Sequence, residues 1–257
     1  VYGPDTTLAF IDILGFKKLL AEKTLPQIVG IIQDILIFDN SEDYIKMIPT
    51  LKNKLISDSF VVYAQLTEQI HVTAFFIYLS TIIGRIHRLG KVVTRGYVST
   101  DDHYSNDIEH HNSKYQLWIS KAWVEAYNGE KKHSNHPRVI LGKSTINHLK
   151  GIDKTFMTLE HLKRDSDGYW FINYMTHISG NYQPNGNTIV AEASTAPSQK
   201  LIKSLREHKK TIISGLEDAI EQEYASKYYW LANYHNAYIN EKIMPPYKQD
   251  LLIETIK

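Results

Sequence analysis

Hydrophobic positions along this 257-residue chain change their period several times, and each change marks an element. The run TTLAFIDIL, residues 6–14, is apolar at nearly every position, the pattern of a buried strand, and Gly15 then turns the chain into a short helix at FKKLLAE. Pro26 fits the first turn of a second helix over LPQIVGIIQDILIFDN, where apolar residues recur at threes and fours. KNKLISDSFVVYAQL divides into two β-prone runs around SDS, because Ser and Asp form turns and FVVYA favours strands; the result is a hairpin with Asp58 at its tip. EQIHVTAFFIYLSTIIGRIHRLG predicts a helix ending at Gly90, apolar around much of its circumference and therefore buried.

The second half continues the alternation. KVVTRGYVST reads as a strand, and the polar, turn-rich DDHYSNDIEHHNSK as an exposed loop. A helix follows at SKAWVEAYNGEK, then a short strand, PRVILG, behind Pro137. FMTLEHLKRDSDGYWFINYM is two β-runs around DSDG, a hairpin near 155–175, and NYQPNGNT is a loop or linker. From SQKLIKS to INEKI helical periodicity is almost unbroken, as two helices stopped by Pro245 and Pro246. These elements predict a sheet layered with helices over residues 1–193 and a mostly helical extension over 194–257.

Within the first strand, Asp12 stands alone. An ionised carboxylate in a buried strand is costly unless a cation, a metal or a set of hydrogen-bond donors compensates it. Asp12 and Asp58 meet only if their two β-elements lie side by side. If they do, the pair suits a hard divalent cation, which is bound through one or two carboxylates plus substrate phosphates. The turn at Leu14, Gly15 and Phe16 leads into a helix N-terminus, whose free N–H groups favour a phosphate. Metal-assisted phosphoryl transfer is the chemistry this pattern implies.

Composition narrows the choice by exclusion. There is no cysteine, which removes disulfides, thiolate catalysis and cysteine-ligated zinc or iron–sulfur sites. A formal net charge of +1 supplies no global pull toward nucleic acid. No apolar run approaches the roughly 20 residues of a membrane span, and VYGPDTT lacks the form of a signal peptide, so a cytoplasmic protein without direct membrane insertion is expected.

FIDILGF resembles the first metal motif of class III nucleotidyl cyclases, F-x-D-[IL]-x-G-F, and LISDSF resembles their second metal hairpin, with Ser57 where a glycine is usual. TRGYVST and LWISKAWVEAYNGE resemble the strand and helix that follow. Together SDS, RGYVS, VEAYN, PRVIL and KYYWLANYHN are most similar to the bacterial pyrimidine cyclases of the Pycsar antiphage systems, which make cyclic UMP or cyclic CMP.

The resemblance implies a ferredoxin-like α+β fold, mainly antiparallel, and a homodimer with active sites at its interface. It also implies two Mn2+ or Mg2+ ions per site on Asp12, Asp58 and the Ile13 carbonyl, and UTP or CTP as substrate, with UTP favoured. Many class III cyclases carry an asparagine and, four residues later, an arginine where this chain has Val124 and Asn128. Arg95 and Lys121 are then the candidates for neutralising phosphate charge, Arg95 being equally a strand arginine paired with an acid. Lys54 lies where adenylyl cyclases place a base-reading lysine.

Two alternatives stay open from sequence: a nucleotide-binding regulator that has lost catalysis, and a metal-dependent nuclease or phosphodiesterase using the same carboxylates. His103, His110 and His111 lack the spacing that would bring them together on a metal, and Tyr228, Tyr229, Trp230 and Tyr234 read as helix packing rather than base stacking.

Overall fold

The apolar N-terminal run is the inner strand of the molecule. In a computed structural model, which describes residues 2–37, 41–110, 113–178, 182–185, 188–191, 197–219 and 222–254, it forms β1, Tyr2–Leu14. The short helix α1, Phe16–Glu22, and α2, Leu25–Leu36, follow as the pattern predicts, with a Thr24–Gln27 capping box and Pro26 opening α2. The end of the predicted second helix, residues 38–40, lies outside the described residues. The SDS hairpin is β2, Lys52–Ile56, and β3, Ser59–Gln65. The long apolar helix is α4, Gln69–Arg85, extended by a π-turn to Gly90. Contrary to the expectation that no apolar run approaches a membrane span, residues 69–90 form a helix long and apolar enough to cross one, and most of it is buried inside the protein.

Several expectations need correction. The expected loop over 101–114 is strand where it is described: β4, Val93–His110, continues through residues 101–110 and pairs with β5, Ser113–Ser120, as a long antiparallel ribbon. NYQPNGNT is not a plain linker, because β9, Tyr182–Asn185, pairs with β10, Thr188–Ala191. Two helices had no sequence counterpart, α3, Ser41–Met47, and α6, Lys143–Ile152, and a short α9, Tyr247–Leu251, follows the proline pair. The remaining predicted elements are α5, Lys121–His133; β6, Val139–Leu141; the hairpin β7, Leu162–Arg164, with β8, Trp170–Ile172; and α7, Gln199–Asp218, with α8, Gln222–Lys242.

The main sheet runs β2-β3-β1-β4-β6-β8-β7, with β5 on β4, and among the described residues only β4 and β6 pair in parallel. It is an α+β fold, mainly antiparallel and flanked by helices. Register sorts its residues into two faces. Asn53 reaches across to Tyr78 of α4 at 2.8 Å, so α4 covers one face. Phe10 meets Trp123 and Tyr127 of α5 edge-on, with ring centroids 5.2 and 5.6 Å apart, so α5 covers part of the other. The C-terminal helices contribute Ile202, Leu205, Tyr234 and Ile239 to the core that holds Leu8, Phe60 and Phe75. Buried Arg138 is ion-paired to Asp165 and Asp167 in the β7–β8 turn, and Trp230 of α8 donates to Asp165 at 2.8 Å.

β1 and β4 pack closely where the site will lie. A Cβ on Gly96 would stand 2.2 Å from the Phe10 carbonyl oxygen and 3.1 Å from Ile11 Cα, backbone atoms that cannot give way. Gly96→Ala is expected to destabilise the protein by at least the about 1–3 kcal/mol typical of overpacking, seen as a lower urea-unfolding midpoint.

Candidate active site

Asp12 sits opposite Ser59 on β3 and opposite Arg95 on β4, so three side chains from adjacent strands share one face. Ser59 Oγ donates to Asp12 Oδ1 at 3.4 Å, and Arg95 Nε donates to Asp12 Oδ2 at 3.4 Å. The next residue, Ile13, donates its N–H to the Asp58 carbonyl at 3.0 Å, which fixes the hairpin tip against the end of β1. Ser57 reaches the tip through φ +57°, the left-handed region that favours glycine. Burial raises the Asp12 pKa; Arg95 works against this, and the charge of Asp58 adds to it. Asp12 is thus an underneutralised carboxylate that also feels the charge of Asp58.

Arg95 has another partner that the sequence did not reveal. Its Nε also contacts Glu130 Oε1 on α5, and the three side chains differ in exposure: 29% for Arg95, 19% for Asp12 and 3% for Glu130. Burial raises the Glu130 pKa, Arg95 opposes this, Asp12 adds to it, and Lys131 and Lys227 oppose it. Lys227 belongs to α8, so the C-terminal helices act electrostatically on this cluster. Of the two outcomes left open for Arg95, pairing with an acid is the one observed.

The other predicted residues divide. Gly15 has φ +87°, and a Cβ added there would meet no atom within 4 Å, so glycine serves the backbone turn and not close packing. Leu14 packs with Val93, Ile212 and Leu231, and Phe16 against the main core, so any contact these two make with a phosphate is through backbone. Lys54 lies on the same face as Asp12 but on the edge strand, opposite Val61, with Nζ 4.6 Å over the Trp118 ring. It lines a cavity of about 660 Å³ with Lys52, Tyr63 and His103. Lys121 is not gathered to Asp12 within one chain: its Nζ is 2.8 Å from Asp102. From there to Glu130 along α5 is roughly 13 Å at the helical rise. Val124 and Asn128 are both exposed on α5.

Among the described residues no group of three or more His, Asp or Glu side chains is arranged to hold a metal ion. A cation on Asp12 and Asp58 would complete its shell from backbone oxygen, water and substrate, as hard cations do. His103 is occupied, its Nε2 accepting from Trp118 Nε1 at 2.8 Å, and burial lowers its pKa to about 4. His110 and His111 lie where side chains are outside the described residues. Trp230 and Tyr234 stack on each other at 5.2 Å and pack on Phe171, which is helix packing.

No family model and no curated protein matches the chain. Solved structures similar to it include the guanylate cyclase domain of RhGC from Catenaria anguillulae in complex with GTP, 13% identical over 66% of this chain and 97% of that one, TM-score 0.47. The adenylyl cyclase CyaB from P. aeruginosa is 14% identical over 67% of this chain and 95% of that one, TM-score 0.46. A monomeric guanylyl cyclase domain of the RhoGC fusion protein from the aquatic fungus Blastocladiella emersonii is 12% identical over 67% and 96%, TM-score 0.46.

Proposed function

We propose that this chain is a class III nucleotide cyclase. It closes a pyrimidine nucleoside triphosphate, UTP in preference to CTP, to the 3′,5′-cyclic monophosphate with release of pyrophosphate. It works as a cytoplasmic homodimer that signals in antiphage defence. The observation that carries the activity is the meeting of Asp12 with the Asp58 turn, through the 3.0 Å bond from Ile13 N–H to the Asp58 carbonyl. The motifs FIDILGF and LISDSF supply the same two carboxylates in the same order.

The donor set fits divalent cations: an Asp12 carboxylate whose pKa is raised by burial and by the charge of Asp58, at the end of β1 where the Asp58 turn meets it, is what a cation relieves. Asp12, Asp58 and the Ile13 carbonyl would hold Mn2+ or Mg2+. Bound there, such ions supply Lewis-acid activation of the ribose 3′-hydroxyl and charge neutralisation of the triphosphate. In the reaction the 3′-oxygen bonds to the α-phosphorus, the bond from that phosphorus to the bridging oxygen of pyrophosphate breaks, and the hydroxyl proton leaves to solvent. The protein's own part is positional: β1 and the β2–β3 turn hold two carboxylates rigidly, and the Gly15 turn leaves backbone N–H groups beside them.

Exposed Ile56, Val124 and Tyr127 lie on elements bordering the Asp12 face, an apolar margin suited to a second copy. In such a dimer, Lys54 and the cavity it lines would serve the partner's base. Incubation of pure protein with each of the four triphosphates and Mn2+ tests the proposal. Cyclic product from UTP, and less from CTP, is expected; none from either, with the protein folded and dimeric, rejects it. The absence of arginine at Asn128 favours one second reading, a binding regulator without turnover. Tight triphosphate binding by calorimetry with no product over long incubation would select it.

A further inference from the structure

Arg95 stands between two carboxylates from different elements, and they are not equivalent. Its Nε is 3.4 Å from Asp12 Oδ2 and in direct contact with Glu130 Oε1. Glu130 is almost wholly enclosed on the sheet-facing side of α5, whereas Asp12 keeps more of its side chain open to solvent. A divalent cation arriving at Asp12 would meet the guanidinium at ion-pair range, where like charges repel strongly in a partly desolvated site. Arg95 must then release Asp12, and a half-buried guanidinium released without a counterion is costly. Glu130 supplies that counterion beforehand, from the helix side and out of the cation's way.

Building on the assignment of Asp12 as a metal ligand, we propose that Glu130 is a positioning residue that parks Arg95, so that Arg95 and a divalent cation exchange at Asp12. Arg95 is shared between Asp12 and Glu130 while no cation is bound and is left to Glu130 alone when one arrives, its remaining N–H groups available to the phosphates. Glu130 touches neither cation nor substrate. It acts only through Arg95, and that gives the exchange a signature that loss of packing would not produce.

The test is Mn2+ binding to nucleotide-free protein, read from the electron paramagnetic resonance signal of free Mn2+, with melting temperatures to confirm folding. Arg95→Met removes the competitor and should tighten Mn2+ binding about 5- to 10-fold, the scale of one partly exposed charge interaction. Glu130→Gln leaves Arg95 with Asp12 as its only carboxylate and should weaken binding by a similar factor. In the double variant the loss from Glu130→Gln should vanish. If both single variants move Mn2+ affinity in the same direction, or neither moves it, the exchange is overturned. If Asp12→Asn leaves Mn2+ binding unchanged, the metal assignment itself fails and the exchange with it. Should Glu130→Gln not fold, Arg95→Met decides alone: unchanged or weaker Mn2+ binding overturns the exchange.

Discussion

Replacing Asp12 by asparagine is expected to lower cyclic nucleotide formation by about 10³-fold or more, while leaving the melting temperature unchanged or raised. The two halves of this expectation have one cause. In the folded protein the ionised form of Asp12 is disfavoured, first by burial and then, against the help of Arg95, by Asp58. Its folded-state pKa is therefore raised, so at neutral pH the charge costs stability. Asparagine keeps the shape and an acceptor for Ser59, which donates to Oδ1 at 3.4 Å, and Arg95 retains Glu130. The substitution removes a penalty from the fold and a metal ligand from the chemistry, the trade-off that strained functional sites show. Product formation and thermal unfolding, measured on the same preparation, separate the two effects. Retained full activity would show that Asp12 is not the ligand; a fall in melting temperature of several degrees would show that it is a structural residue.

What the sequence disclosed about this site was local. One apolar run with a single acid, and one Ser-Asp-Ser turn, are patterns a few residues long, and both stand in the structure where they were read. What it withheld depends on register and packing. Arg95 could have faced a phosphate or an acid, and only the pairing of β4 with β1 sets it opposite Asp12. Glu130 was legible in principle: it lies seven residues after Trp123 and three after Tyr127, the stripe of α5 that faces the sheet. It was hidden in the charged run GEKK, where a lone carboxylate reads as solvated. The ribbon of β4 and β5 escaped because backbone ladders between two projecting strands require no continuous apolar face, so no period of two marks them. Helix α6 escaped for a related reason, burying only Thr145 and Leu149 among ten residues.

Below pH 6 the protein is expected to lose stability steeply and to unfold near pH 5, because three buried histidines are locked in their neutral form. The hydrogen bonds dictate this in order. Leu251 offers only a carbonyl to His235 Nε2 at 3.0 Å, so that nitrogen carries the proton and His235 Nδ1 must accept. His208 Nδ1 then donates to His235 Nδ1 at 3.0 Å, leaving His208 Nε2 to accept from the Tyr174 hydroxyl at 2.9 Å. His87 Nε2 accepts from the Thr94 N–H at 3.3 Å. A second proton on His208 or His235 would set two N–H groups against each other or against the Tyr174 donor. Burial accordingly lowers the His87 pKa to about 3 and that of His235 to about 4, the latter opposed by Leu251 and aided by Lys209, and holds His208 well below its ordinary value. All three values are depressed relative to the unfolded chain. Between pH 6.5 and about 4 the unfolded state therefore binds more protons, and stability falls with pH by up to about 1.4 kcal/mol per unit for each histidine. Three such groups over the roughly 1.5 units from pH 6.5 to 5 amount to roughly 6 kcal/mol, comparable with the about 5–15 kcal/mol that holds a domain folded. The raised carboxylates Asp12 and Glu130 act in the opposite sense, regaining stability as pH falls, but His103, His161 and His177 are also held low by burial and add to the histidine side. The chain of bonds joins Tyr174, α7, α8 and the end of α9, so the C-terminal helices should part from the sheet in the same transition. Circular dichroism and melting temperature followed from pH 8 to pH 4 measure it. A melting temperature that stays level down to pH 5 would mean that these imidazoles accept protons without disturbing the fold.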